Sequence, residues 1–184
     1  MSKKSSEFPS EIFNNTKDII DKSIQNCYLI QTYSMASETT TGFCPNDLSY
    51  WKEFCTVGIN LPRRTGKTYA ITNLAIERFN NVIFMSHTLK AVEYMKKPIG
   101  YLLSSKKYNI EKETASQIKF RDENGILSEF NFGSIGSIDS MKGYYNIDAV
   151  IVDNSFMLSE KKKDDIYRCF GPSMTNPKFF IFIG

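Results

Sequence analysis

The amino-acid sequence predicts an α/β fold: a mostly parallel sheet flanked by helices, with an inserted β-hairpin. Three observations carry that reading. Strand-like and helix-like segments alternate from residue 56 to residue 104, the pattern of βα units. Two short runs, 147–152 and 178–183, are largely β-branched or aromatic, as strands buried on both faces are. A third stretch, 117–132, holds two alternating segments joined by Asp122-Glu123-Asn124-Gly125, whose Asn-Gly pair favours a tight hairpin turn.

In chain order, residues 1–9 form a polar lead, and Ser10 is placed to cap a helix whose apolar residues Ile12, Phe13, Ile19, Ile20 and Ile24 recur at helical spacing. Over 34–47, Ser, Thr, Gly and Asn accumulate and predict a loop. Residues 48–54 form a short amphipathic segment. A strand over 56–61, a tight polar loop, a helix over about 67–79, a strand over 81–86 and a helix over about 88–104 follow. Beyond the hairpin, 147–152 and 178–183 are two central strands with a helix between them over 159–170. Residues 1–47 are therefore assigned as an N-terminal helix and loop lead-in, and 48–184 as the core domain. A parallel sheet ordinarily runs on from such a strand into a further loop, so the core is expected to be cut short on its C-terminal side. The chain holds no internal repeat and no low-complexity tract.

With 184 residues, 41% of them hydrophobic and 14% aromatic, the chain has the composition of one globular domain. Its net charge of +3 is too small to name a partner. Cys27, Cys44, Cys55 and Cys169 form no C-x-x-C pair, and the single histidine, His87, cannot complete a zinc cluster, so the thiols are expected to be reduced, in an intracellular protein. No apolar run approaches the roughly 18 residues that span a bilayer, and none follows the N-terminus as in a signal peptide, so the protein is expected to be soluble and not secreted.

The segment that points to chemistry is Leu61-Pro62-Arg63-Arg64-Thr65-Gly66-Lys67-Thr68, between a predicted strand and a predicted helix. It ends as a phosphate-binding loop does. Gly66 lets backbone N–H groups turn toward phosphate oxygens, Lys67 brings a point charge to the β- and γ-phosphates, and the Thr68 hydroxyl can ligate magnesium. Leu61 stands where the usual pattern has its first glycine. Gly-Lys-Thr alone also occurs in surface turns; the order strand, loop, helix is what favours phosphate here. A second feature agrees, because Asp153 closes the apolar run 147–152, where a P-loop NTPase needs an acidic residue on the magnesium side.

These residues resemble the ATPase domain of large terminase subunits, the motors that pack DNA into tailed-phage and herpesvirus capsids. In that family the loop lacks the first glycine and has a basic stretch before G-K-S/T, as Pro62-Arg63-Arg64-Thr65-Gly66-Lys67-Thr68 does. Residues 82–90, the pairs Gly133-Ser134 and Lys142-Gly143, and residues 148–153 are similar to further family segments, and 179–184 to the strand entering the coupling motif. The resemblance covers about residues 48–184 and implies a P-loop NTPase fold, ATP and Mg2+ as cofactors, and double-stranded DNA, a capsid portal and a small terminase subunit as partners of an oligomeric ring in the host cytoplasm of an infected cell. It implies Arg63 as an arginine finger acting in cis, and Tyr50 and Trp51 as edges of the adenine site. The family's water-orienting glutamate, next after the magnesium-side Asp, is replaced by Asn154, which cannot accept a proton, so hydrolysis is expected to be impaired while binding survives. Glu160, Asp164 and Asp165 follow closely enough to be considered as substitutes. Two alternatives stand beside the packaging motor: a helicase-like translocase, and a catalytically impaired nucleotide-binding interaction module.

Overall fold

The structure is a computed structural model and describes residues 10–36 and 47–184. Helix α1 (Ser10–Ala36) and the short helix α2 (Leu48–Phe54) precede strand β1 (Thr56–Ile59). Then come α3 (Lys67–Arg78), β2 (Asn81–Ser86), α4 (Leu89–Ser105) and three strands, β3 (Asn109–Glu113), β4 (Gln117–Arg121) and β5 (Leu127–Ser134). Strand β6 (Ile147–Asp153), helix α5 (Glu160–Phe170) and strand β7 (Met174–Ile183) complete the order.

The strands make one sheet in the order β1-β7-β6-β2-β5-β4-β3. From β1 to β5 every neighbour is parallel; β4 and β3 extend the sheet in antiparallel fashion. The central strands are apolar on both faces because both faces are covered. In β2, Val82 and Phe84 meet a layer of α1, α3 and α4, while Ile83 and Met85 meet a layer of α2 and α5, and none of the four is exposed.

Several expectations are sharpened. The hairpin's second strand, β5, pairs with β2 and so belongs to the parallel sheet itself. Strand β3 was not foreseen: Asn-Ile-Glu-Lys-Glu holds a single apolar residue, because it lies on the sheet edge with most of its residues exposed. The predicted loop over 34–47 starts too early, since α1 continues to Ala36; residues 37–46 lie outside the described residues, and Asp47 caps α2 by accepting from Tyr50 N–H at 2.8 Å. Helix α1 is also more than a lead-in. Ile20, Ile24 and Cys27 are buried in the same core as β1 and β7, so residues 10–36 and the sheet share one core.

Candidate functional site

Strand β1 ends at Ile59, and the chain crosses a short loop to enter α3 at Lys67. Two of its residues take left-handed backbone conformations, Arg64 at φ 66° and Gly66 at φ 76°, on either side of Thr65. Such a reversal turns successive N–H groups to one side, and the N–H groups of the first helical turn have no intrahelical acceptor. Gly66 tolerates this conformation for lack of a Cβ; Arg64 accepts it at a small cost. The side chain of Thr65 closes the loop by donating to the Pro62 carbonyl at 3.1 Å. The Lys67 ammonium rests on carbonyl oxygens at the tips of the two neighbouring strands, donating to Leu61 O at 3.1 Å and also to Gly184 O. Leu61 packs against the core.

Strand β6 delivers Asp153 beside this loop. Its Oδ2 accepts from the Thr68 hydroxyl at 3.4 Å, and its Oδ1 from the Asn154 N–H at 3.0 Å. At 7% exposure the carboxyl is pushed above its usual pKa by burial, against the opposing pull of the Asn154 N–H, the Lys67 charge and the Thr68 hydroxyl. Magnesium takes hard oxygen donors and keeps several waters and phosphate oxygens. Thr68 and Asp153 fit that pattern as two converging oxygens, one of them on a buried carboxyl whose charge lacks full compensation.

A cleft of about 550 Å3 gathers Arg63, Arg64, Gly66, Lys67 and Thr68 from the loop and α3 with Asp153 and Asn154 from the β6 tip. Seven of the residues singled out by sequence are thus brought together. Pro62 and Thr65 form the loop behind them. Tyr50 and Trp51 are not in the cleft, and the adenine role implied for them is corrected: both are 4% exposed in the core under α5, on the other face of the sheet, with the Trp51 ring against Gly171 and the Lys178 ammonium 5.4 Å from its centre. Neither ring face is open to a base.

Asn154 lines the cleft in the left-handed conformation (φ 57°), which asparagine accepts more readily than most residues. Its amide is turned onto Asp153, with Nδ2 3.3 Å from Oδ2. None of the three nearby carboxylates substitutes for a base. Glu160 pairs with Lys163 at 2.7 Å, Asp164 with Lys52 at 2.5 Å and Asp165 with Lys162 at 3.8 Å, and none of them lines the cleft. Lys142 forms an exposed pair with Asp139.

Four lining residues were missed: Tyr69, Tyr94, Pro98 and Phe156. One signal was available. On α4, Tyr94 lies off the buried stripe of Val92, Met95, Ile99 and Leu102 and is 59% exposed, and an aromatic ring on the polar side of an amphipathic helix asks for a reason. Phe156, 62% exposed in the turn after β6, gave none.

The parallel sheet with its flanking helices matches solved structures. The large terminase of a thermophilic bacteriophage superposes with a TM-score of 0.55 at 17% identity over 74% of this chain and 36% of that one. The fold is that of the large-terminase ATPase domain. The ATPase domain of the Thermus phage P74-26 large terminase matches at 0.50 and 15% identity over 80% of this chain and 67% of that one, and the N-terminal domain of the phi29 DNA-packaging ATPase at 0.50 and 12% over 77% and 78%. The chain spans about a third of the length of the first of these terminases. No protein-family model and no curated protein sequence matches the chain. Among the described residues, no helix is long and apolar enough to cross a membrane, and no group of three or more His, Cys, Asp or Glu side chains could hold a metal by itself.

Proposed function

We propose that the chain is the nucleotide-binding part of a viral DNA-packaging ATPase of the large-terminase kind, taking Mg2+-ATP in the cleft between the 62–66 loop and the tip of β6. The observation that supports this most is the meeting of Thr68 and Asp153 at 3.4 Å beside the Lys67 ammonium at a helix N-terminus, a set of groups with one common ligand, a metal-bound phosphate chain. A structure of the thermophilic-phage terminase with ADP, which has the same fold, agrees. On this reading the Gly66 N–H and the first turn of α3 hold phosphate oxygens, and Lys67 leaves its carbonyl partners to neutralise the β- and γ-phosphates. Thr68 and Asp153 hold magnesium, which supplies charge neutralisation at the transferring phosphoryl group. Arg63, exposed at the cleft, reaches the γ-phosphate. Double-stranded DNA, a portal and a small terminase subunit are the partners this function requires, in an oligomeric ring in the infected cell.

One observation favours a second reading, that of a nucleotide-binding module with weak hydrolysis. Asp153 is the sole carboxylate lining the cleft among the described residues, and Asn154, an amide, stands beside it where the family resemblance implies a base. Calorimetry with ATP and ADP, with and without Mg2+, followed by single-turnover hydrolysis, separates the two. Binding is expected to be Mg2+-dependent for ATP and to weaken by roughly 100-fold in Lys67→Ala, the scale of a lost contact between charged groups. Unchanged affinity in that variant would remove the phosphate-loop assignment.

A further inference from the structure

Helix α1 carries several hydroxyl side chains, and they do not behave alike. Ser23 and Thr32 donate to the carbonyls of Ile19 and Tyr28, four residues back, at 2.9 Å each. This is the ordinary resting place of a helical hydroxyl. Thr16 does otherwise. It is 4% exposed, and its Oγ1 leaves the helix to donate to the carbonyl of Thr65, 49 residues on, at 3.0 Å. Phe13, one turn earlier, lies beside the same loop: its ring edge comes 3.7 Å from the point where a Cβ on Gly66 would stand, and it meets Tyr69 edge-on at 5.2 Å.

The peptide bond converts this contact into a statement about the cleft. Thr65 O and Gly66 N belong to one planar trans unit, in which C=O and N–H point in opposite directions. Holding the carbonyl against α1 therefore aims the Gly66 N–H away from α1. That N–H has no partner among the described residues, and Gly66 lines the cleft. The plane turns about the Thr65 ψ and the Gly66 φ, and Gly66, at φ 76° and without a Cβ, offers little resistance, so without the anchor the peptide is free to rotate and present its carbonyl where a phosphate oxygen should sit.

We infer that Thr16 is a positioning residue for nucleotide binding: from a helix that precedes the loop by 49 positions, its hydroxyl fixes the Thr65–Gly66 peptide with the N–H turned to the phosphates. The inference rests on the nucleotide reading of the cleft. It assigns α1 a part in the site in addition to its part in the core.

The test is the nucleotide affinity of Thr16→Val, which keeps shape and branching and removes the donor. ATP and ADP are both expected to bind about 5- to 10-fold more weakly, the loss of one hydrogen bond, because the Gly66 N–H serves phosphates common to both. KM should rise with kcat little changed, and Thr16→Ser should recover most of the affinity. Thr32→Val, which removes a back-bonded hydroxyl from the same helix, should bind as the wild type does. Ile24→Ala, which loosens α1 in the core, should lower Tm and leave affinity intact well below the transition. Unchanged affinity in Thr16→Val alongside normal wild-type binding overturns the inference alone. So does an equal loss in the Thr32 or Ile24 variants, which would show general packing to be the cause. Absence of any nucleotide binding by the wild-type protein overturns the function reading, and the inference with it.

Discussion

Strands β6 and β4 belong to one sheet, yet they dispose of their polar residues in opposite ways. In β6, Ala149, Val150, Ile151 and Val152 are wholly buried between two helical layers, and the acid that lines the cleft, Asp153, comes at the tip. In β4, buried Ile118 and Phe120 alternate with half-exposed Gln117, Lys119 and Arg121, and the polar side chains pair along the strand: Lys119 faces Glu129 of β5 in register at 2.5 Å, and Arg121 meets Glu111 of β3 at 2.6 Å. A strand covered on both faces has little room for a charge away from its ends, and where one enters, as Lys178 of β7 does at 3% exposure, its ammonium needs a partner, here the Gly171 carbonyl at 2.7 Å. The candidate cleft therefore draws its acid from the tip of a parallel strand, while the hairpin, exposed on one face, carries charge pairs along its strands.

Substitutions at the parallel tips should alter chemistry far more than stability. The largest effect should come from Arg63→Ala. The side chain is exposed and bears little of the fold, so Tm should hold and ATP affinity stay within a few-fold, while single-turnover hydrolysis falls by roughly 10³, as for a lost arginine finger. Equal losses of ATP and ADP affinity with no separate rate effect would make Arg63 a binding residue only.

Next in size is Asn154→Glu. A carboxylate beside Asp153 should raise single-turnover hydrolysis by roughly 10², toward the lower end of a general-base contribution. Glutamate is less at ease than asparagine at φ 57°, so a small loss of Tm should accompany the gain. Ordinary motor rates in the wild type, unimproved by glutamate, would place the base elsewhere than at the β6 tip.

The smallest effect belongs to the hairpin. A double-mutant cycle on Lys119 and Glu129 should give a coupling of about 0.2–1 kcal/mol at neutral pH, with nucleotide affinity untouched. Burial raises the Glu129 carboxyl, but the Lys119 ammonium and the amides of Asn131 and Gln117 outweigh it and hold the pKa below its usual value. The coupling should therefore be complete above the ordinary glutamate range and vanish as pH falls through the lowered value. A coupling well above that range, or one that moves ATP binding, would break the division between tips and hairpin.

The sequence alone determined the α/β alternation, the loop 62–68 and the acid Asp153, because each rests on local signals: periodicity, glycine beside lysine, and an apolar run ending in a carboxylate. It left β3 unseen because an edge strand of alternating charge has no apolar signature. The family resemblance implied an adenine role for Tyr50 and Trp51, whereas folding buried both rings in the core under α5. Only the tertiary structure decided that α1 lies behind the 62–66 loop, that Thr16 grips Thr65, and that Tyr94 and Pro98 of α4 wall the cleft. Those contacts join residues far apart in sequence. What sets them is which helix packs on which face of the sheet, a choice made by the fit of whole buried surfaces and written in no short motif.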